Sequence, residues 1–192
     1  MPDPAPHSGF LLFYRSRLWA LIWSYIFLTY ATLPVMRPLL RALKTNVGLE
    51  SLAILVNASL LLAALGLVLL ALRKGVTTTV LALLPLLTIA AIASQLSIAE
   101  ERMHFLQYGL LGVLVVATGR ARTWGLWLAM LVFVAAVGAL DELIQWWLPN
   151  RVGDWRDVAF NSAAGLLGTA LGAVLFWRED RPQAAGSNST IS

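Results

Sequence analysis

Long uncharged stretches, separated by short charged segments, set the pattern of this chain. Three of them lie in its first half, at residues 18–36, 51–72 and 75–99. Three more follow, at Met103–Gly119, Thr123–Leu140 and Val158–Trp177. A helix needs about 20 predominantly apolar residues to cross the hydrocarbon core of a membrane. The pattern therefore predicts an all-α integral membrane helical bundle with about six transmembrane helices.

The composition agrees with a membrane protein. Of the 192 residues, 59% are hydrophobic and 12% are charged, where soluble domains have about 25% charged residues. The isoelectric point is about 10, but the basic residues are scattered at the ends of the predicted spans. We therefore expect membrane lipids as partners and no nucleic acid. Cysteine is absent, which excludes disulfides and thiolate metal sites.

The same pattern divides the chain into four parts. Residues 1–16 form a predicted flexible N-terminal segment, and residues 17–94 hold the first three helices. Residues 95–177 hold the other three, and residues 178–192 have the Pro, Ser and charge content of a disordered tail. A cleaved signal peptide is a rival interpretation of the first span. Its length and aromatic content favour a retained anchor.

Six spans place both termini on one side of the membrane, and basic residues indicate which side. With the N-terminus inside, eight Lys and Arg residues flank the spans on the cytoplasmic side and six on the other. Cytoplasmic loops carry the excess of Lys and Arg. The predicted orientation is therefore N-in and C-in.

Acidic residues gather at the ends of the last three spans. The six residues concerned are Glu100, Glu101, Asp141, Glu142, Asp154 and Asp157. They lie at the start of the fourth span, the end of the fifth and the start of the sixth. Because consecutive spans alternate in direction, all three ends meet at one membrane face. Ionisable residues at such a position indicate a functional site.

Helical spacing arranges these residues in three polar stripes. The stripes are Glu100, His104 and Tyr108 in the fourth span, Asp141, Glu142 and Gln145 in the fifth, and Asp154, Asp157 and Asn161 in the sixth. Residues three or four apart share one side of a helix, so the stripes are expected to face a common space. The third stripe continues as Gly165, Gly168 and Gly172, where another helix can approach closely.

The individual residues of this polar cluster also have structural explanations. Asp154 and Asp157 can act as an N-cap and a first-turn acid of the sixth helix. Trp146 and Trp147 are typical of residues that anchor a helix at the membrane surface. A lone histidine such as His104 is often only a hydrogen-bonded residue in the contact between two helices. These explanations, taken one residue at a time, do not account for three stripes on one face.

Taken together, these residues carry a family resemblance over about residues 95–175. The matching elements are Glu100-Glu101-Arg102-Met103-His104-Phe105-x-x-Tyr108-Gly109, Asp141-Glu142-x-x-Gln145, Pro149-x-Arg151 and Asp157-x-x-x-Asn161-x-x-x-Gly165-x-x-Gly168. Their order resembles the VanZ-like membrane protein family. Many members carry Asp-Lys where this chain has Glu100-Glu101, so a role that needs that lysine is not expected here.

The resemblance implies a bacterial integral protein of the cytoplasmic (inner) membrane that crosses it several times. The family takes its name from a protein of a glycopeptide-resistance gene cluster that is associated with reduced susceptibility to teicoplanin. A role in the cell envelope is therefore the expected function.

The residues themselves suggest binding or modification of a lipid-linked glycan or anionic headgroup at the outer membrane face. Arg151 is the expected anion contact, because a guanidinium binds phosphate through two parallel hydrogen bonds. The candidate catalytic residues are His104, Glu100 and Glu142, with the histidine as proton donor or acceptor. The candidate substrate contacts are Tyr108, Asp141, Gln145, Arg151, Asp157 and Asn161.

Two other classes of protein fit the same residues. A small ion- or proton-coupled transporter would use the acidic and histidine stripe as a relay, and an assembly subunit would use the charges as salt bridges between helices. Enzymatic activity stays open, because the chain has no obvious nucleophile and no metal motif such as His-Glu-x-x-His. The sequence assigns no metal ligand and leaves the cofactor unknown, although one histidine with several carboxylates can hold a divalent ion.

Overall fold

The computed structural model describes residues 7–119, 123–149 and 154–176, with side chains from residue 17 onward. These parts contain five α-helices and no strand. The helices are α1 (His7–Leu72), α2 (Val76–Gln95), α3 (Ala99–Ala117), α4 (Trp124–Trp147) and α5 (Trp155–Phe176). The predicted all-α class is confirmed. Arg151 and the predicted tail 178–192 lie outside the described residues, and α1 begins inside the predicted N-terminal segment 1–16.

Four of these five helices are long and apolar enough to cross a membrane, namely α1, α2, α4 and α5. The remaining helix, α3, carries Glu100, Glu101 and Arg102 in and next to its first turn, which lowers its hydropathy. The chain is therefore a helical membrane protein, and the count of six spans stays a prediction.

The 66-residue α1 contains a sharp break at Gly48. A straight helix of this length would measure about 99 Å, about three times the membrane core. Gly48 has φ 84° and ψ 161°, a conformation that residues with a side chain rarely adopt. Leu40 before the break and Leu52 after it line the same cavity, so the chain turns back here. Each half of α1 contains one of the long uncharged stretches.

Glycines bring α3 and α5 into direct backbone contact. A Cβ atom on Gly168 would collide with the carbonyl of Gly109, and one on Gly112 would lie 2.6 Å from the Thr169 nitrogen. Gly172 meets Val116 one to two turns further along both helices, so α3 and α5 run parallel. Small residues allow this close approach of membrane helices. Gly168 and Gly172 of α5 thus allow α5 to pack closely against α3.

Helix α4 runs antiparallel to α5, since Val134 packs on Gly165 and Gly138 packs on Asn161. The start of α3, the end of α4 and the start of α5 therefore meet at one end of the bundle, which we call the polar end. The alternation of directions expected from the sequence is found. Below the polar end the core is apolar and includes Leu111, Val115, Val116, Val134 and Leu171.

Candidate functional site

The centre of the polar end is a pair of buried carboxylates on α4. Asp141 and Glu142 are each 2% exposed, and Gln145 one turn later is 4% exposed. The Gln145 Nε2 donates hydrogen bonds to Asp141 Oδ2 at 3.2 Å and to Glu142 Oε1 at 3.1 Å. One neutral amide therefore bridges both carboxylates and fixes their relative position.

His104 of α3 faces this pair and also reaches α5. Its Nε2 lies 3.8 Å from Asp157 Oδ2, and its ring stacks on Tyr108 with centroids 6.3 Å apart. The sequence hypothesis instead orients His104 by Glu100, four residues earlier on the same helix. In the structure Glu100 forms a salt bridge with Lys44 of α1. Helical spacing identifies residues on one side of a helix, but the neighbouring helices decide which charges pair.

Asn161 connects α5 to α4 in the middle of the site. It is fully buried, and its Nδ2 donates to the Gly138 carbonyl oxygen at 3.0 Å. A Cβ atom on Gly138 would lie 2.7 Å from the Cβ of Asn161, so the glycine makes room for the amide. Asn161 is a predicted substrate contact, but its Nδ2 is already engaged in a hydrogen bond between α5 and α4.

The start of α5 is fastened to the end of α4. Asp154 Oδ1 accepts a hydrogen bond from the Arg156 backbone nitrogen at 2.9 Å, which is the geometry of an N-cap. The Asp154 backbone nitrogen in turn donates to Glu142 Oε2 at 3.4 Å. The capping interpretation applies to Asp154, whereas Asp157 in the first turn faces His104.

Charged pairs also surround the site at its rim. Arg156 Nη2 lies 3.9 Å from Glu101 Oε1, which ties α5 to α3. The Lys44–Glu100 pair ties α1 to α3 in the same way. Such exposed pairs contribute about 0–1 kcal/mol each, so they position the helices more than they stabilise them.

A cavity of about 210 Å³ opens beside the carboxylates. Its polar lining consists of Thr29, Thr32, Glu100, His104, Gln107, Asp141 and Gln145. Four of the six predicted residues of α3 and α4 thus line one cavity, whereas Tyr108 and Glu142 are buried beside it. Helix α1 closes the cavity from the other side. A cavity of this size accommodates part of a polar headgroup.

Helix α1 supplies site residues that the sequence analysis did not identify. The Tyr25 hydroxyl donates to the Gln107 carbonyl at 3.2 Å, and the Tyr30 hydroxyl donates to the Val137 carbonyl at 2.7 Å. Tyr25, Thr29 and Thr32 are spaced by four and three residues, so they share one helical side. This spacing is the sequence signal from which the contribution of α1 to the site could have been predicted.

The electrostatic balance of the site is negative. Asp141, Glu142 and Asp157 surround a single imidazole, and three tyrosines (Tyr25, Tyr30 and Tyr108) interact electrostatically with Asp141. Buried carboxylates are costly unless they are paired, hydrogen-bonded or protonated. The site therefore favours ligands that bring hydrogen-bond donors or positive charge.

Three of these residues have the arrangement of a cation site. His104, Asp141 and Glu142 each offer one ligand atom, and the three atoms lie within 4.8 Å of one another. Imidazole nitrogen and carboxylate oxygens are ligands of divalent cations such as Mn²⁺. A cation held there would join α3 to α4 and offset the negative charge.

The tryptophans next to the site lie at its outer edge. Trp146, Trp147 and Trp155 are 43%, 85% and 70% exposed, and the rings of Trp146 and Trp155 meet edge to face at 5.0 Å. Exposed indoles at a helix end are typical of residues in the membrane interface. The polar end therefore lies near a membrane surface.

Fold and site together define a helical membrane protein with a buried polar site at one end of its bundle. The family model described as VanZ/LLP1 matches residues 6–177, and the chain belongs to that family. The match includes α1 and α2 as well as the residues 95–175 that carry the sequence resemblance. Searches of curated proteins and of solved structures found no significant match.

Proposed function

We propose that this protein acts in the bacterial cell envelope by binding the headgroup of a lipid-linked substrate at the polar end of the bundle. The observation that supports this most is the buried cluster of Asp141, Glu142, Gln145 and His104 beside a cavity that α1 closes. A polar cavity at the end of an apolar bundle suits a molecule with a polar head and a hydrocarbon tail. By this proposal the protein influences glycopeptide susceptibility through that substrate.

The charge of the site restricts how the headgroup binds. Carboxylates and glutamine accept hydrogen bonds from sugar hydroxyls and amines directly. A phosphate cannot approach Asp141 and Glu142 without positive charge between them. By this proposal that charge comes from Arg151, which lies outside the described residues, or from a divalent cation on His104, Asp141 and Glu142.

His104 and Glu142 are the residues suited to proton transfer. The His104 side chain is 13% exposed, and its Nε2 lies 3.8 Å from Asp157 Oδ2. Glu142 lies on the facing helix and is held by Gln145. Together they are placed to donate and accept protons if the bound substrate is also modified.

Photo-crosslinking tests the binding proposal directly. A photoreactive phenylalanine at Thr32, which lines the cavity, is expected to capture a lipid-linked molecule in bacterial membranes. The same amino acid at Leu28, which is 61% exposed, is the matched control and should capture only bulk lipid. Mass spectrometry of the adducts distinguishes the two.

Adducts of identical mass and yield at both positions would contradict a specific headgroup site. In the Glu142→Gln variant the Thr32 adduct is expected to disappear, whereas the Leu28 adduct should persist. Chelating divalent cations before illumination separates the two ways of binding. Loss of the Thr32 adduct indicates a phosphate held through a cation. Its retention indicates recognition without a cation, either of hydroxyls and amines or of a phosphate through Arg151.

The proposed orientation places the polar end outside the cytoplasm. A reporter fused after Ser192 should then lie in the cytoplasm, and a reporter inserted within Pro149–Gly153 should lie outside, because six spans and the excess of basic residues favour N-in and C-in. Alkaline phosphatase and green fluorescent protein fusions measure the two sides. Reversed signals would place the substrate in the inner leaflet instead.

The salt bridges support a second candidate function, that of a subunit in a membrane assembly. Lys44–Glu100 and Arg156–Glu101 join α1, α3 and α5 at the rim without needing a ligand. For an ion-coupled transporter the support is weaker. The described core below the polar end is apolar around Leu111, Val115 and Leu171, and the buried Thr118 and Thr169 hydroxyls donate to carbonyls of their own helices. The described core therefore offers no acidic or histidine side chain as a relay to the other side.

A further inference from the structure

A second and larger cavity lies on the opposite side of α3 from the polar site. It has a volume of about 510 Å³ and runs between the second half of α1, α2 and α3. Most of its lining is apolar, with Leu60, Ala64, Leu86, Ile89, Phe105 and Val113 among the lining residues. Known ligand cavities have volumes of about 300–1,000 Å³. We call this cavity the apolar groove.

One positively charged side chain, that of Arg102, lies at one end of the apolar groove. Arg102 lines it together with Asn57 and Ser94, at the polar end of the bundle. The guanidinium donates to the Leu96 carbonyl through Nε at 3.0 Å and to Asn57 Oδ1 through Nη1 at 2.9 Å. Among the described residues its partners are neutral oxygens, and no carboxylate pairs with it.

The hydrogen bonds of Arg102 leave room for an anion. A guanidinium has five N–H donors, of which three are used, one each on Nε, Nη1 and Nη2. One donor remains on each terminal nitrogen. Each of these donors can give a charge-assisted hydrogen bond to a phosphate oxygen.

The length of the apolar groove matches one leaflet of a membrane. It follows α3 from Arg102 to Val113, a rise of about 16 Å. Half of a hydrocarbon core of about 30 Å is about 15 Å. An acyl chain that enters beside Arg102 would therefore end at the middle of the membrane, near Val113 and Leu171.

We infer that the apolar groove binds one acyl chain of an anionic glycerophospholipid whose phosphate contacts Arg102. Any groove in a membrane can hold lipid, but only a charged headgroup gains from a guanidinium with which no described carboxylate pairs. The cation lies at the end where a headgroup belongs, and the apolar walls lie at the depth of the chain. This site is separate from the carboxylate cluster and does not depend on the proposed function.

Lipid retention in defined membranes tests this inference. The full chain is reconstituted in nanodiscs that contain equal amounts of phosphatidylglycerol and phosphatidylcholine, released, and weighed by native mass spectrometry. Wild-type protein is expected to retain phosphatidylglycerol in preference. The Arg102→Gln variant should lower that preference about tenfold, because a charge-assisted hydrogen-bonded contact is lost. Arg41→Gln, an exposed arginine outside the apolar groove, is the matched control.

A second pair of variants tests the acyl chain. Ala64→Leu places a larger side chain in the apolar groove and should lower retention of the lipid, whereas Ala31→Leu on the exposed side of α1 should not. Both proteins must elute as the wild type does on size exclusion. Equal retention of the two lipids, or an Arg102→Gln variant that behaves like Arg41→Gln, would overturn the inference. Unchanged retention in Ala64→Leu would overturn it as well.

Discussion

Replacing Gly168 by alanine is expected to destabilise this protein strongly, although alanine is the better helix former. The new Cβ atom would collide with the backbone carbonyl of Gly109, which no side-chain rotation can relieve. Overpacking of a core costs about 1–3 kcal/mol and sometimes more. The thermal unfolding midpoint should therefore fall by about 5 °C or more, measured by intrinsic tryptophan fluorescence in detergent.

Gly66→Ala is the matched control for this effect. Gly66 also lies within a helix, but nothing comes within 4 Å of the position of a Cβ atom there. In a helix interior, alanine is about 1 kcal/mol more favourable than glycine. The control should therefore keep or raise the midpoint. If both variants were equally stable, α3 and α5 would not pack as closely as described.

The meeting of the polar residues at one end was predictable because it follows from chain direction. Helices that succeed one another across a membrane alternate, so the ends marked by Glu101, Asp141 and Asp157 had to share a face. The contacts of His104 with Asp157 and of Glu142 with the Asp154 nitrogen show that they do. No knowledge of helix packing was needed for this step.

The partners of the individual charges were harder to predict. The spacing of Glu100 and His104 suggests a pair within one helix, but Glu100 instead forms a salt bridge with Lys44 of α1. That contact depends on the turn at Gly48, which brings the middle of α1 to the polar end. A single glycine between two apolar stretches does not indicate the direction in which the chain turns.

The contribution of α1 residues to the site was not predicted, for a related reason. The aromatic residues of the first span were used only as an indication that it is a retained anchor. In the structure the Tyr25 and Tyr30 hydroxyls donate to backbone carbonyls of other helices. A hydroxyl on an apolar helix needs a partner inside the membrane, where water is absent. The spacing of Tyr25, Thr29 and Thr32 therefore marks the side of α1 that packs inward.

From the proposed function we expect the variants Glu142→Gln and His104→Ala to remove any effect of this protein on glycopeptide susceptibility, while its amount in the membrane stays near that of the wild type. Both residues line or adjoin the proposed headgroup site, and neither lies in the glycine contact that joins α3 to α5. Glutamine keeps the shape of Glu142 and can still interact with Gln145, but it removes the negative charge that a proton, an amine or a cation needs.

Susceptibility assays with teicoplanin, in a strain that lacks the chromosomal copy, measure this loss, and immunoblots of membrane fractions measure abundance. Glu50→Gln is the matched control, because Glu50 is exposed and outside the cluster. The control should behave as the wild type does. If Glu142→Gln and His104→Ala both vanish from the membrane fraction, the cluster holds the helices together and the assembly function gains support. If both persist with unchanged susceptibility, the site has no part in this phenotype.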